Sequence, residues 1–328
     1  MSDSTDLNTF IYYFLLVIIF NKKAVLGDKF IVNLDSRGIT DISEIEGLDS
    51  LSDKLKGLIL SHNSIKEIRG IEALTKLEML DLHNNQISEI KNLEPLKNLK
   101  YLHLYHNRIS KIEGLETLTN LEILELSFNN IEHISGLNIP GLKYLSLGHN
   151  NITKIENLGN LVNLEKLILK GNNISQIEHL ENHKKLKSLI LSENTIAEIR
   201  GLDSLLNLEE LHLNENNILK IKGLKNLSRL EYLGLNSNHI KKIEGLHKSH
   251  NLRELWLDNN QIERIPRFNE SKNWIRLWIN HNKLKYIDDL NNLSSVEINF
   301  GHNPFTLEVC EKFYEKIEPS AYGVSLSL

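Results

Sequence analysis

Apolar positions along this chain keep two rhythms in turn. In residues 99–118, Leu99, Leu102 and Leu104 are followed by Asn107 and then by Ile109, Ile112, Leu115 and Leu118. The leucines of Leu102-His103-Leu104 alternate with a polar residue, so they share one face of an extended segment, which predicts a short strand. The spacing of three that follows predicts tight helical turns. The next stretch repeats the order with Leu121, Leu124, Leu126, Asn129, Ile131, Ile134 and Leu137. Asn63, Asn85, Asn107, Asn129, Asn150, Asn172, Asn194, Asn216, Asn238, Asn260, Asn282 and Asn303 mark the same point in successive units. Every step is 22 residues except two of 21, which end at Asn150 and Asn303.

The order L-x-x-L-x-L-x-x-N-x-I-x-x-I-x-x-L-x-x-L resembles the leucine-rich repeat. The resemblance implies one α/β right-handed solenoid. Its strands pair into a parallel concave β-sheet, with short 3-10 or turn segments on the convex side. The 328 residues would otherwise suggest about two domains, but no Pro- or Ser-rich linker divides them, and a solenoid has no preferred core size. We expect an N-terminal apolar segment over 1–29, a solenoid of about 12–13 units over 30–303, and a C-terminal cap over 304–328.

Each repeat asparagine lies where the chain bends away from its strand. Its amide can donate and accept, so we expect a structural ladder that satisfies backbone groups trapped in the bend. Gly70, Gly114, Gly136, Gly201, Gly223 and Gly245 share a second position with Asn92 and Asn157. Gly and Asn both tolerate left-handed backbone, which predicts a turn there and not a phosphate-binding loop.

Terminal units need covers. Asn303-Pro304-Phe305 closes the last unit, and Leu307, Cys310, Phe313, Tyr314 and Ile317 recur at helical spacing up to Pro319, which predicts an amphipathic capping helix with Cys310 packed on its apolar stripe. Val32, Leu34, Ile39, Ile42, Ile45, Leu48 and Leu51 read as a degenerate first unit. Ahead of it, residues 10–20 are an unbroken apolar run ended by Asn21-Lys22-Lys23. As a helix the run spans ~16 Å, about half of a bilayer core. Three readings stand open: a hydrophobic cap or partner-facing helix, a membrane signal or anchor, and a misassigned translation start.

Composition narrows the function. With 38 Lys+Arg against 43 Asp+Glu the net charge is −5, which disfavours a nucleic-acid partner. A single cysteine, Cys310, excludes an intramolecular disulfide and a Cys-based zinc site, and points to a reducing compartment, the cytoplasm. No Ser-His-Asp constellation and no glycine-rich phosphate motif is present, so no enzyme and no cofactor is expected. The five Asn-x-Ser/Thr triplets, at Asn151, Asn173, Asn226, Asn269 and Asn292, are expected by chance in an Asn-rich repeat.

Function then falls to the outward strand positions, a grid with neighbouring strands ~4.8 Å apart. Trp256 and Trp278 occupy consecutive middle positions and are both expected to be exposed, while Trp274 takes a core leucine position. With Tyr232, Glu254 and Arg276 beside them, they have the composition of a binding hot spot. Two rings stacked to shield a sheet edge is the bland alternative. A second patch carries Asp81, His103 and Glu125 in one column, flanked by His83, Tyr101, Tyr105 and His106, with Tyr144 on the next strand. A histidine between two carboxylates is expected to have a raised pKa. A metal or pH-sensing site is the sharp reading; solvent exposure weakens a pull on metal, so a polar, aromatic contact patch is expected.

The 22-residue unit with isoleucine at both convex positions resembles the subclass typified by the leucine-rich-repeat regulatory subunit of type-one serine/threonine protein phosphatase, which bacterial internalins share. Glu254-Leu255-Trp256 is similar to a late Glu-x-Trp unit of that regulator, and Asn303-Pro304-Phe305 to its cap motif. The chain departs at Asn299, where the family has an aromatic residue, and at Gly234, where it has an acidic one. The resemblance implies a non-catalytic scaffold, a monomer that holds a serine/threonine phosphatase through acidic and aromatic residues of the concave strands. The rival expectation is an adhesion protein tethered to a membrane or surface through residues 10–20.

Overall fold

In the computed structural model, residues 30–266, 275–287 and 297–304 are described. The apolar run at 10–20, Trp274, the triplets at Asn269 and Asn292, and the capping helix with Cys310 lie outside them.

Strand residues recur once per unit, so the coils stack and their strands pair side by side. The first two are β1 (Phe30–Asn33) and β2 (Leu55–Ile59). Then come three-residue rungs: β3 (Met79–Asp81), β4 (Tyr101–His103), β5 (Ile123–Glu125), β6 (Tyr144–Ser146), β7 (Lys166–Ile168), β8 (Ser188–Ile190), β9 (Glu210–His212), β10 (Tyr232–Gly234) and β11 (Glu254–Trp256). The C-terminal coils add β12 (Arg264–Ile265), β13 (Arg276–Trp278), β14 (Tyr286–Ile287) and β15 (Glu297–Asn299). Among the described residues, all but β12 and β14 form one parallel 13-stranded sheet in chain order, and those two pair with each other. The register is strict, with His103 level with Glu125 and Trp256 level with Trp278. Equivalent repeat positions therefore form columns.

The convex side is built from single turns. Backbone bonds from Leu74 to Ile71 and from Leu77 to Leu74 recur in later coils. Among the described residues, 3-10 helices appear only at Ile42–Glu44 and Asp49–Leu51. Three-residue spacing puts successive leucines on one side of these turns, and Leu115, Leu118, Leu121 and nearly all their equivalents are buried, with Leu246 only partly so. One continuous core runs the length of the coil.

The asparagine ladder is as the sequence implies. Asn107 Oδ1 accepts from the Ile87 amide at 2.9 Å, and its Nδ2 donates to the Leu82 and Leu104 carbonyls. Each asparagine thus ties its own coil to the preceding one and satisfies backbone groups in the bend. The residue just before each asparagine is left-handed, from His62 (φ 52°) through Phe128 (φ 55°) to His302 (φ 55°). The shared Gly/Asn position is left-handed too. At Gly114 (φ 69°) an added Cβ would sit 2.7 Å from the Ile90 carbonyl oxygen. Asn92 uses the same closeness to donate to the Ile68 carbonyl at 2.6 Å.

Just ahead of the strands runs a charge column in which sign alternates from coil to coil: Lys56, Glu78, Lys100, Glu122, Lys143, Glu165, Lys187, Glu209. Neighbours pair across coils, as in Lys56–Glu78 at 3.1 Å, Lys143–Glu122 at 2.8 Å and Lys187–Glu165 at 2.8 Å. Exposed pairs of this kind contribute ~0–1 kcal/mol each. The alternation slips where Glu231 follows Glu209, and Arg253 then pairs with Glu231 at 3.2 Å.

Candidate functional site

Strand alternation sends Leu255, Leu257, Leu277 and Ile279 into the core, where all four are fully buried. Trp256 and Trp278 must then lie on the outer sheet face, and their ring centroids are 6.2 Å apart. They do not share one environment. Trp278 is 37% exposed, whereas Trp256 is 8% exposed, so the expectation that both rings are open to solvent is corrected for Trp256. The cause lies one rung back. Gly234, level with Trp256, has no side chain, and an added Cβ there would meet Asn214 and His212. The Trp256 ring leans across this gap to within 5.7 Å of the His212 ring, although two rungs separate them. Its indole nitrogen donates to Glu254 Oε2 at 3.2 Å.

Arg276 stands in the next column on β13, between two carboxylates. It donates to Glu254 Oε1 at 2.9 Å and to Glu297 Oε2 at 3.0 Å. These partners, with the Glu297 hydrogen bond foremost, raise the guanidinium pKa. Glu254 therefore holds both Trp256 and Arg276, and Tyr232, level with Glu254 on β10, is half-buried beside them. The structure thus brings together all five residues that the sequence groups at this end.

The N-terminal patch is also assembled, but it is not an open surface. Asp81, His103 and Glu125 lie on successive rungs and are 8%, 6% and 3% exposed. Burial pushes the His103 imidazole below its ordinary pKa, and the nearby Asp81 carboxylate at 4.0 Å only partly opposes this. The expected rise is thereby reversed: desolvation, not the carboxylate, is the larger effect. Burial also pushes Asp81 upward, but the 2.6 Å hydrogen bond to His83 and the two neighbouring imidazoles prevail and lower it. Tyr144, pushed up by burial, hydrogen-bonds to Glu125. Tyr101 stands level with Ile123 on the rung between. On β7, burial lowers the Lys166 ammonium against the opposing pull of Glu210 and Glu125. The patch is a roofed polar network. Among the described residues no group of three His, Cys, Asp or Glu side chains suits a metal ion, and no helix is long and apolar enough to cross a membrane.

Two features escape a reading of single motifs. One is a polar ladder after the strands, in which Asn214 Oδ1 accepts from the Asn236 amide, Asn236 Oδ1 from Asp258 and Asp258 Oδ1 from Asn280. The other is a file of rings over the N-terminal coils. His83 stacks on Tyr105 at 4.3 Å, and Phe128 lies between His106 at 4.1 Å and His149 at 4.3 Å. Reading equivalent positions down the columns would have found both.

Comparison with known proteins agrees with this geometry. An internalin (InlF) from Listeria monocytogenes superposes with a TM-score of 0.77 at 25% identity, covering 94% of each chain. A leucine-rich-repeat protein from Leptospira interrogans gives 0.67 at 23% identity, covering 88% of this chain and 94% of that one. The plant peptide-hormone receptor RGFR1, in complex with RGF2, gives 0.67 at 22% identity, covering 86% of this chain and 50% of that one. No curated protein matches the sequence. The family description "Leucine Rich repeats (2 copies)" matches residues 53–95, 97–138, 140–182 and 228–273. Those segments take in more than half of the chain, which belongs to the leucine-rich-repeat family.

Proposed function

We propose that this protein is a non-catalytic scaffold that holds a protein partner against its concave sheet, with Trp278 and the Glu254–Arg276–Glu297 clamp as the anchoring end. The observation that carries this reading is the exposed Trp278 ring in a fixed setting. Rigid aromatic and arginine side chains lose little entropy on binding and dominate interface energies. Trp256, already packed, flanks Trp278 from the adjacent strand. Family membership supports the same reading, because solenoids present extended concave surfaces to partners.

The partner we propose is the catalytic subunit of a serine/threonine phosphatase, with cytoplasmic residence. Its support is the Glu254-Leu255-Trp256 unit and the Asn303-Pro304-Phe305 motif. The test is direct titration of purified type-one phosphatase catalytic subunit by calorimetry. Trp278→Ala should weaken binding at least ~10-fold. Absence of binding by the unmodified protein would remove the phosphatase from consideration. A second reading, surface recognition in the manner of an adhesion protein, draws support from the apolar run at 10–20 and the likeness to InlF. Recovery of the protein in the membrane fraction would favour it.

A further inference from the structure

The ring file occupies the bend just beyond the strands, away from the tryptophan site. His62 meets His83 edge-on at 4.7 Å, and His83 stacks on Tyr105. Tyr105 meets His106 edge-on at 5.7 Å, and the stack continues through Phe128 to His149. The file ends at Gly171, where an added Cβ would run into the His149 ring. Phe128 is the odd member. Its backbone is left-handed at φ 55°, a conformation rare for a bulky aromatic, and its side chain is 43% exposed. Other coils fill this position with histidine, asparagine, serine, glycine or glutamate, as at His62, Asn84, Gly171, Glu193 and Ser237. The left-handed backbone is common to every coil; what sets this one apart is a large apolar ring held 43% exposed where nothing in the coil geometry calls for phenylalanine.

The charges around the file are uneven. His62 faces Asp35 at 2.9 Å, and His83 faces Asp81 at 2.6 Å, with His103 behind that carboxylate. His106 faces Tyr105 and Phe128, and the charged groups that act on it are the other imidazoles, His83, His149 and His62. His149 feels Glu193, but Glu193 pairs with Lys170 at 3.1 Å, and Lys170 itself opposes the imidazolium. His62 and His83 thus each have a carboxylate within hydrogen-bond distance. His106 faces no such carboxylate, and the one near His149 is shared with Lys170, so charge gained at His106 and His149 appears, largely uncompensated, on both faces of Phe128.

We infer that His106, Phe128 and His149 form a second docking surface, which takes an acidic protein segment once its two imidazoles are charged. Charge complementarity selects that occupant: the surface gains two positive charges around an apolar ring, and glutamate side chains remain ionised well below the ordinary histidine pKa. The surface shares no residue with the Trp278 site, so the two proposals stand or fall apart.

The test uses the full chain and a rhodamine-labelled hexaglutamate peptide, read by fluorescence anisotropy from pH 7.5 to 5.0. Affinity should rise at least ~10-fold across that range, by analogy with a gain of one to two unscreened charge pairs. The variant His106→Asn/His149→Asn should lose the rise. It should also fold, because Asn84 and Asn259 occupy the same left-handed position, and circular dichroism checks this. His62→Asn/His83→Asn should keep the rise. A flat pH profile, or a rise that survives in the His106/His149 variant, overturns the inference. Capture of the protein at low pH by phosphatidylserine vesicles without peptide binding also overturns it, in favour of a lipid surface.

Discussion

Trp256 and Trp278 are level with each other on adjacent strands, 6.2 Å apart, yet one is packed and the other is open. The glycine at 234 divides them, since it lets Trp256 lie down toward His212, whereas Trp278, between Trp256 and Asn299, stays open. The pair is one support and one contact, and the two should respond differently to truncation.

Trp278→Ala should leave the unfolding midpoint nearly unchanged and weaken partner binding by ~1.4 kcal/mol or more, a tenfold loss. Trp256→Ala should lower stability by about 1–3 kcal/mol, because a buried ring and its bond to Glu254 go together. Equal effects on stability from the two substitutions would contradict the division of labour. Chemical denaturation and calorimetry on the same preparations decide it.

Mid-solenoid packing can be probed at one coil. Leu169 is fully buried, and Leu169→Ala should cost ~2–5 kcal/mol. Asn172 accepts from the Ile152 amide and donates to the Leu147 and Leu169 carbonyls. Asn172→Ala should cost ~1–3 kcal/mol for each group left unsatisfied. Urea melts read both values, and an unmoved midpoint for Asn172→Ala would refute the ladder.

The turn at Gly114 is a test of backbone conformation. Gly114→Ala should cost about 1–3 kcal/mol, from the left-handed φ and the close Ile90 carbonyl. Gly114→Asn should recover part of the loss by donating to that carbonyl, as Asn92 does to Ile68. A thermal melt showing alanine as good as asparagine would remove the argument.

Acid should weaken the N-terminal half. His103 is held below its ordinary pKa in the fold, so below pH ~6.5 the unfolded chain binds a proton that the folded chain refuses. Stability therefore falls as pH drops through that value. His106 and His149, also lowered chiefly by burial, act in the same direction. Asp81, lowered in the fold, adds a further loss only when pH falls below the ordinary carboxylate range. Urea midpoints at pH 7.5 and 5.5 should show the decline, and His103→Gln should make it shallower.

The architecture was legible because it is written a dozen times. Any one Leu-x-Leu is ambiguous, but Asn107, Asn129 and their equivalents fix the period, and the period fixes the register. The membership of both patches followed from that register. What the columns did not reveal is how side chains lie across them. Trp256 is packed because of a glycine one coil earlier, and burial pushes the His103 imidazole down against the pull of Asp81. The ring file spans two adjacent repeat positions, His83 and Tyr105 in one and His62, His106, Phe128 and His149 in the other, so it shows only when neighbouring columns are read together.

The alternating charges ahead of the strands have a consequence for how this chain can change length. Excising the coil that carries Lys100 would set Glu78 beside Glu122, like against like on neighbouring rungs. Excising the coils of Lys100 and Glu122 together would set Glu78 beside Lys143 and heal the seam. The molecule is thus quantised in pairs of coils: duplications and losses pass unnoticed in even numbers and leave a scar in odd ones, and the meeting of Glu209 with Glu231 has the form of one such scar.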